Sequence, residues 1–277
     1  MMRMTETVKQ LLIINIIFFI GSNFIGDVAY QLLSMHYPAN SNFRFWQPIT
    51  HMFMHAPVYL PQSSSNLMHL VFNMFALVSF GSVLEQFWGA KKFLFFYFSC
   101  GIGALLVHLG VSYYEIHSVM DQVSSLHLSE SQWNIILNTD YASIFDENGK
   151  MVSGQVKTIL ENAHCTQEQF NIISEAMSIS RSTILGASGA IYGLLIAFAF
   201  MFPNAELGLM FIPIPIKAKY FVPIYMILYD GLFGIFGGSI GISSNVAHFA
   251  HIGGALTGFI MMWYWKKNQF RNNRWDK

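Results

Sequence analysis

The chain has 277 residues, of which 53% are apolar and 16% aromatic while only 11% are charged. That is too little polar surface to cover a soluble globule of this length, so the composition demands an integral membrane protein. Fifteen basic residues balance fifteen acidic ones, and the two cysteines, Cys100 in an apolar run and Cys165 in a polar one, give no disulfide framework; nucleic-acid binding, which needs a basic stripe, and a disulfide scaffold are both excluded.

After a short start carrying Arg3 and Lys9, Leu11 to Leu33 is apolar over a length that spans a bilayer. A signal peptide competes with this reading. A retained helix is expected, because the apolar character continues past Gly21 and Gly26 and no small-x-small cleavage site follows. Asp27 is expected at the interface. His36 to Ser65, punctuated by Pro38, Pro48, Pro57 and Pro61 and rich in aromatics, reads as a structured loop at the membrane surface. Asn66 to Phe87 is the second predicted span and Phe93 to Tyr113 the third, with a turn at Trp88 to Lys92.

Residues 115–181 break the pattern. This stretch holds nine acidic residues and two lysines, with no apolar run near spanning length, and is expected to be an extracytoplasmic insert within a single membrane domain covering 1–277. Thr166-x-x-Gln169 has the form of a capping box, followed at helical spacing by Phe170, Ile173 and Met177, so a short amphipathic helix is expected there. Asp146 to Gly149 reads as a turn rather than a calcium loop.

Spans four to six are expected at Gly186–Phe202, Tyr220 to about Ile240, and Val246–Trp265, separated by the proline-rich Phe211–Lys219 and the stretch Gly237–Ser244. Six spans put both ends on one side. Eleven of the fifteen basic residues (Arg3, Lys9, Lys91, Lys92, Lys217, Lys219, Lys266, Lys267, Arg271, Arg274 and Lys277) fall on that side, so the positive-inside rule predicts cytoplasmic termini. A short-looped chain of this pattern fits a bacterial plasma membrane.

In this topology spans two, four and six enter from the outer face, and the unusual polar residues come early in each. His69 and Asn73 are four apart on span two, Ser188 and Tyr192 four apart on span four, and His248 and His251 open span six. Polar groups inside a membrane usually face a bundle interior or a watery cavity. A serine needs a base to take its proton, a role suited to histidine, and an oxyanion needs donors such as an Asn amide, a second His or the Ser188 backbone N–H. With no acid conspicuous beside them, a Ser-His dyad is the economical reading. The competing one is that Gly186, Gly189 and Gly193, facing the Gly254 and Gly258 stripe, only mark tight helix packing.

Gly186-Ala-Ser188-Gly189 with Tyr192, Ala250-His251-x-x-Gly254-x-x-x-Gly258, and His69-x-x-x-Asn73 together resemble the rhomboid intramembrane serine proteases. The resemblance implies an all-α, six-span bundle over about Leu11 to Trp265, apart from the insert. It implies Ser188 as nucleophile, His251 as general base, His69 and Asn73 with the Ser188 amide around the oxyanion, and Tyr192 supporting the histidine, with Gly186 part of the motif. Substrates would be other membrane proteins, cut in or near a transmembrane segment, and no metal or cofactor is needed. The family's first loop commonly carries Trp-Arg, whereas here Trp46 precedes Gln47, which puts the bracing of that loop in question.

Other readings compete. His51 and His55 have metal-ligand spacing, but no acidic or cysteine ligands accompany them. His248 is expected to be structural, and Glu85 with Gln86 a hydrogen-bonding pair near a turn. An inactive relative that binds membrane clients is the rival within the same fold. Span five, with Pro223, Gly231, Gly234 and Gly237-Gly238, is expected, together with the loop to Ser244, to be the movable side where substrate enters.

Overall fold

The computed structural model describes residues 3–58, 64–147, 149–209, 212–226 and 248–272. Among them three helical stretches are long and apolar enough to cross a membrane: Glu6–Ile25, Asn66–Trp88 and Ala90–Gln122. The expected gate over span five lies outside the described residues beyond Met226; its described start is a helix, Ala218–Met226, with Pro223 inside it.

The first predicted span is two helices, α1 (Glu6–Ile25) and α2 (Asp27–Leu33), parted at Gly26. Gly26 has φ +78°, a left-handed conformation open to glycine that ends the first helix. Asp27 is exposed in the first turn of α2, where a negative charge complements the helix dipole. The N-terminus of α1 is capped from another helix. Glu85 accepts the Thr5 hydroxyl and the backbone N–H groups of Thr7 (3.3 Å) and Val8 (3.1 Å), while Gln86 donates to the Arg3 carbonyl at 3.3 Å. The expected pair is therefore a clasp between α1 and the second span rather than a bond near a turn.

The first loop opens on a short strand, β1 (Met35–His36), and carries the short helix α3 (Gln47–Thr50). The second span runs through α4 (Ser64–Ala76), a π turn at Leu77–Gly81 and α5 (Ser82–Trp88). After Gly89, α6 (Ala90–Gln122) continues for 33 residues, about 50 Å. That exceeds a hydrocarbon core of about 30 Å, so its last turns form part of the 115–181 region instead of ending before it.

That region is a folded helical unit with its own core. Here α9 (Gln167–Arg181) packs on the extension of α6, α7 (Glu130–Asn138) on α9, and α8 (Gln155–Asn162) on α7. Ile116, Val119 and Val123 of that extension meet Trp133, Ile136, Ile159, Phe170, Ile173 and Met177 in one buried cluster. The Thr166–Gln169 capping box is formed, and a second, Ser129–Gln132, starts α7. The Gly149 N–H donates to the Asp146 carbonyl at 2.9 Å, the bond expected of a turn there. Because Ile173 is fully buried in this cluster, Ile173→Ala is expected to cost about 2–5 kcal/mol. Limited proteolysis of the full chain would then cut within 124–182 well before the spans are attacked.

Among the described residues two ladders depart from an all-α fold. Met35 pairs with Ile184 and His36 with Thr183, joining β1 antiparallel to β2 (Thr183–Ile184). The second joins β3 (Glu206–Leu209) to β4 (Ile212–Lys217). Residues 212–217, Ile-Pro-Ile-Pro-Ile-Lys, read in sequence as a proline-rich separator; a two-stranded ribbon accepts prolines because each strand has an unpaired edge.

Between and beyond these lie α10 (Ser188–Met201), α11 (Ala218–Met226) and α12 (His248–Asn272). Among the described residues α6, α10 and α12 pack closely on one another, α10 and α12 backbone nearly on backbone. A Cβ on Gly254 would overlap the Gly189 carbonyl; one on Gly258 would lie 2.8 Å from the Gly193 Cα. Helix α6 completes the seam: Gly189 faces Ala104, Gly193 faces Cys100 and Gly103 faces Thr257. The predicted packing of spans four and six is present at Gly189 and Gly193, but Gly186 precedes the helix and takes no part in it.

Candidate active site

The seam brings together residues 63 positions apart. Ser188 Oγ and His251 Nε2 are 2.9 Å apart, a hydrogen bond in which the serine donates when the imidazole proton is on Nδ1. His251 is buried, and the Tyr192 ring lies on it with centroids 4.3 Å apart and planes 11° from parallel. Tyr192 sits one turn below Ser188 on α10, so the helix that carries the hydroxyl also fixes the plane of the ring it bonds.

Ser188 is the first residue of α10. The opening N–H groups of a helix have no intrahelical partner, so the Ser188 amide lies where partial positive charge gathers. Just before it, Gly186 has φ +121° and donates its N–H to the His51 carbonyl at 2.9 Å. A side chain starting at Gly186 would lie 3.6 Å from both His69 Cε1 and Ser188 Oγ. His69 and the serine hydroxyl therefore flank one small space, which a glycine leaves open.

Asn73 is buried, and its amide donates to the His69 carbonyl at 2.7 Å within its own helix. An amide nitrogen carries two hydrogens, so this bond commits one of them. His248 is also buried, its ring perpendicular to that of His251 with centroids 6.2 Å apart. Of the six predicted site residues, Ser188, His251 and Tyr192 are in direct contact, and His69 and Gly186 border the hydroxyl. Asn73 stands one turn further along α4.

The first loop is held by a residue whose contribution its spacing does not signal. Gln47, the departure from Trp-Arg, is fully buried. Its Oε1 accepts the N–H groups of His36 (3.3 Å) and Arg44 (3.1 Å), and its Nε2 donates to the carbonyls of Gln31 (3.2 Å) and Asn42 (2.9 Å). Trp46 Nε1 donates to the Leu32 carbonyl at 2.8 Å. A neutral amide thus braces the loop together with Trp46.

His51 and His55 are buried in that loop, with the His55 ring 6.1 Å from that of His69. Among the described residues no three His, Cys, Asp or Glu side chains are grouped to hold a metal. Burial lowers the pKa of His51 and of His55 from 6.5 to about 4; the neighbouring His108 adds to this for His51, and His69 for His55. Both rings are neutral when folded, so between pH 6.5 and about 4 the unfolded chain binds more protons. Stability from these rings is complete above pH 6.5 and is lost on acidification through that window, on the order of 3 kcal/mol each at most. Hydrogen exchange of residues 47–58 is expected to accelerate as pH falls from 6.5 to 4, after correction for intrinsic rates, and His55→Gln is expected to reduce that dependence.

Residues 42–268 match the family model of the Rhomboid domain. The chain belongs to the rhomboid family. Among curated proteins, Rhomboid-like protease 3 of Toxoplasma gondii is 39% identical over 70 residues, which is 25% of this chain and 23% of that protein; the match spans less than a quarter of the relative's length. Rhomboid membership, with its apolar helices, makes this an integral membrane protein.

Proposed function

We propose that this rhomboid is an active intramembrane serine endopeptidase that cleaves other membrane proteins in or near their transmembrane segments. The observation that carries the reading is the 2.9 Å contact of Ser188 Oγ with His251 Nε2, on a buried imidazole held by Tyr192.

In this mechanism His251 Nε2 takes the hydroxyl proton as Ser188 Oγ bonds to the scissile carbonyl carbon, whose π electrons move to oxygen. The oxyanion is met by the Ser188 N–H at the start of α10, by the His69 side chain, and by the second Asn73 amide hydrogen after that side chain turns. His251 then gives its proton to the leaving nitrogen as the C–N bond breaks, leaving an acyl-serine. Water, deprotonated by the same nitrogen, attacks the ester, and the proton returns to Oγ as the acid departs. No step calls for a metal or cofactor.

The membrane arrangement we propose has six spans with both termini cytoplasmic, in a bacterial plasma membrane, and the 115–181 unit on the outer face of a single domain. Helix α10 has 14 residues, about 21 Å against a core of about 30 Å. With its C-terminal end at the inner surface, Ser188 lies below the outer one, where an unwound substrate segment reaches it.

A fluorophosphonate probe tests the reading without a known substrate. It is expected to label the wild type at Ser188, and labelling is expected to vanish in Ser188→Ala and His251→Ala. An unlabelled, folded wild type would overturn the protease reading in favour of a protein that only binds membrane clients.

A further inference from the structure

The strand that delivers the nucleophile is only two residues long, and a two-residue ladder is too short to hold its register unaided. Its inner end is secured near the site. Ile184 pairs with Met35, and the Gly186 N–H bonds the His51 carbonyl two residues before Ser188. Its outer end, His36 with Thr183, opens toward the helical unit formed by α7, α8, α9 and the extension of α6.

One residue of that unit holds the chain on both sides of the ladder. Asn138, the last residue of α7, accepts the Ser41 N–H on Oδ1 at 2.7 Å and donates from Nδ2 to the Ala39 carbonyl at 3.2 Å. Its own carbonyl accepts Arg181 Nη1 at 3.1 Å, at the end of α9 two residues before β2. Beside it the buried Asn40 donates to the Ser180 carbonyl at 3.0 Å. The chain leaving β1 and the chain entering β2 are thus fastened to one asparagine, and Nδ2 is itself steadied by the Asn134 carbonyl at 3.0 Å.

We infer that Asn138 is a positioning residue for Ser188, and that the 115–181 unit clamps the ladder which sets the nucleophile against His251. Its effect on catalysis rests on the protease reading; its effect on the ladder does not. The unit is anchored by its own core on α6, the helix that also packs on Gly189 and Gly193, so ladder and seam share one support.

The test is Asn138→Ala in the full chain in proteoliposomes, read by hydrogen exchange and by turnover. Exchange over 181–187 and 35–41 is expected to accelerate about tenfold, with α10 and α12 unchanged. Fluorophosphonate labelling at Ser188 and kcat for a membrane substrate are expected to fall by a similar factor at constant KM. Asn138→Asp, which keeps the acceptor for Ser41 but loses the donor to Ala39, is expected to recover part of each loss. Asn138→Ala removes the ties to Ser41 and Ala39 and keeps the main-chain carbonyl that holds Arg181, so unchanged exchange over 35–41 in this variant overturns the clamp, whether or not the protein is a protease. A raised KM with unchanged kcat also overturns it, by making the residue a substrate contact. Should Asn138→Ala unfold the unit, Arg181→Met decides instead: it removes the second tie alone, and normal exchange over 181–187 there is equally fatal. A wild type that fails to label while the exchange response is intact refutes the protease reading and leaves the clamp standing.

Discussion

Ser188→Ala is expected to abolish cleavage of a membrane substrate, by at least about 10⁴-fold, in a protein that still folds and inserts. Loss of a nucleophile or its base in serine hydrolases has effects on this scale, because the remaining groups stabilise charge but cannot form the acyl intermediate. The substitution is structurally mild. Ser188 is the first residue of α10, one past the N-cap Ala187, and alanine is a good helix former at that position. His251→Ala is expected to be as inactive but less clean, since it also removes the ring on which Tyr192 stacks, a contact worth about 0.5–1.5 kcal/mol. The double variant is expected to be no worse than either single one, as for groups that act as a unit. Measurable turnover in purified Ser188→Ala would end the nucleophile assignment.

The second large effect is expected far less obviously, at Gly254. A Cβ there would overlap the Gly189 carbonyl oxygen, 2.7 Å from its carbon and 3.1 Å from the Gly189 Cα. These are backbone atoms, and no rotamer change relieves them. Gly254→Val must push α12 off α10, and the 2.9 Å contact between Ser188 and His251 opens with it. Displacement of about 1 Å commonly costs about 100-fold in rate, so Gly254→Val is expected to lose at least that much activity and to lower thermal stability as well. Gly110→Ala is the control. It lies in α6 with nothing within 4 Å of the added Cβ, and it is expected to be neutral or slightly stabilising through helix propensity. Equal activity in Gly254→Val and wild type would mean that the seam does not set the geometry of the site.

Much of this was legible because it depends on spacing. Ser188 with Tyr192 and His251 with Gly254 and Gly258 are periodic signals, and helix geometry turns each period into a shared face. The capping box at Thr166 was legible for the same reason, and the one at Ser129 carried the same pattern. What escaped was non-local. Two-residue strands leave no period, so the β1–β2 ladder had no signature. Helices α7 and α8, of nine and eight residues, carry too few apolar positions to advertise a core that exists only once α6 and α9 complete it. Gln47 looked like a defect because the comparison was of charge, whereas its contribution is the hydrogen bonds that its side-chain amide makes to four backbone groups. Gly186 looked like a packing residue because it stood beside two that are; only the backbone angle separates them.

The clasp on α1 bears on where this protein begins as a folding unit. The rhomboid match starts at residue 42, yet Glu85, buried within the matched region, receives its three hydrogen bonds from Thr5, Thr7 and Val8. Val8 and Leu11 fill the same core as Phe93 and Phe96, and β1 supplies half of the ladder beside the serine. A truncation cut at the family boundary would strip a carboxylate of every one of those donors, expose a core face to lipid, and leave β2 without a partner. The unit of ancestry and the unit of cooperativity do not share an edge in this chain.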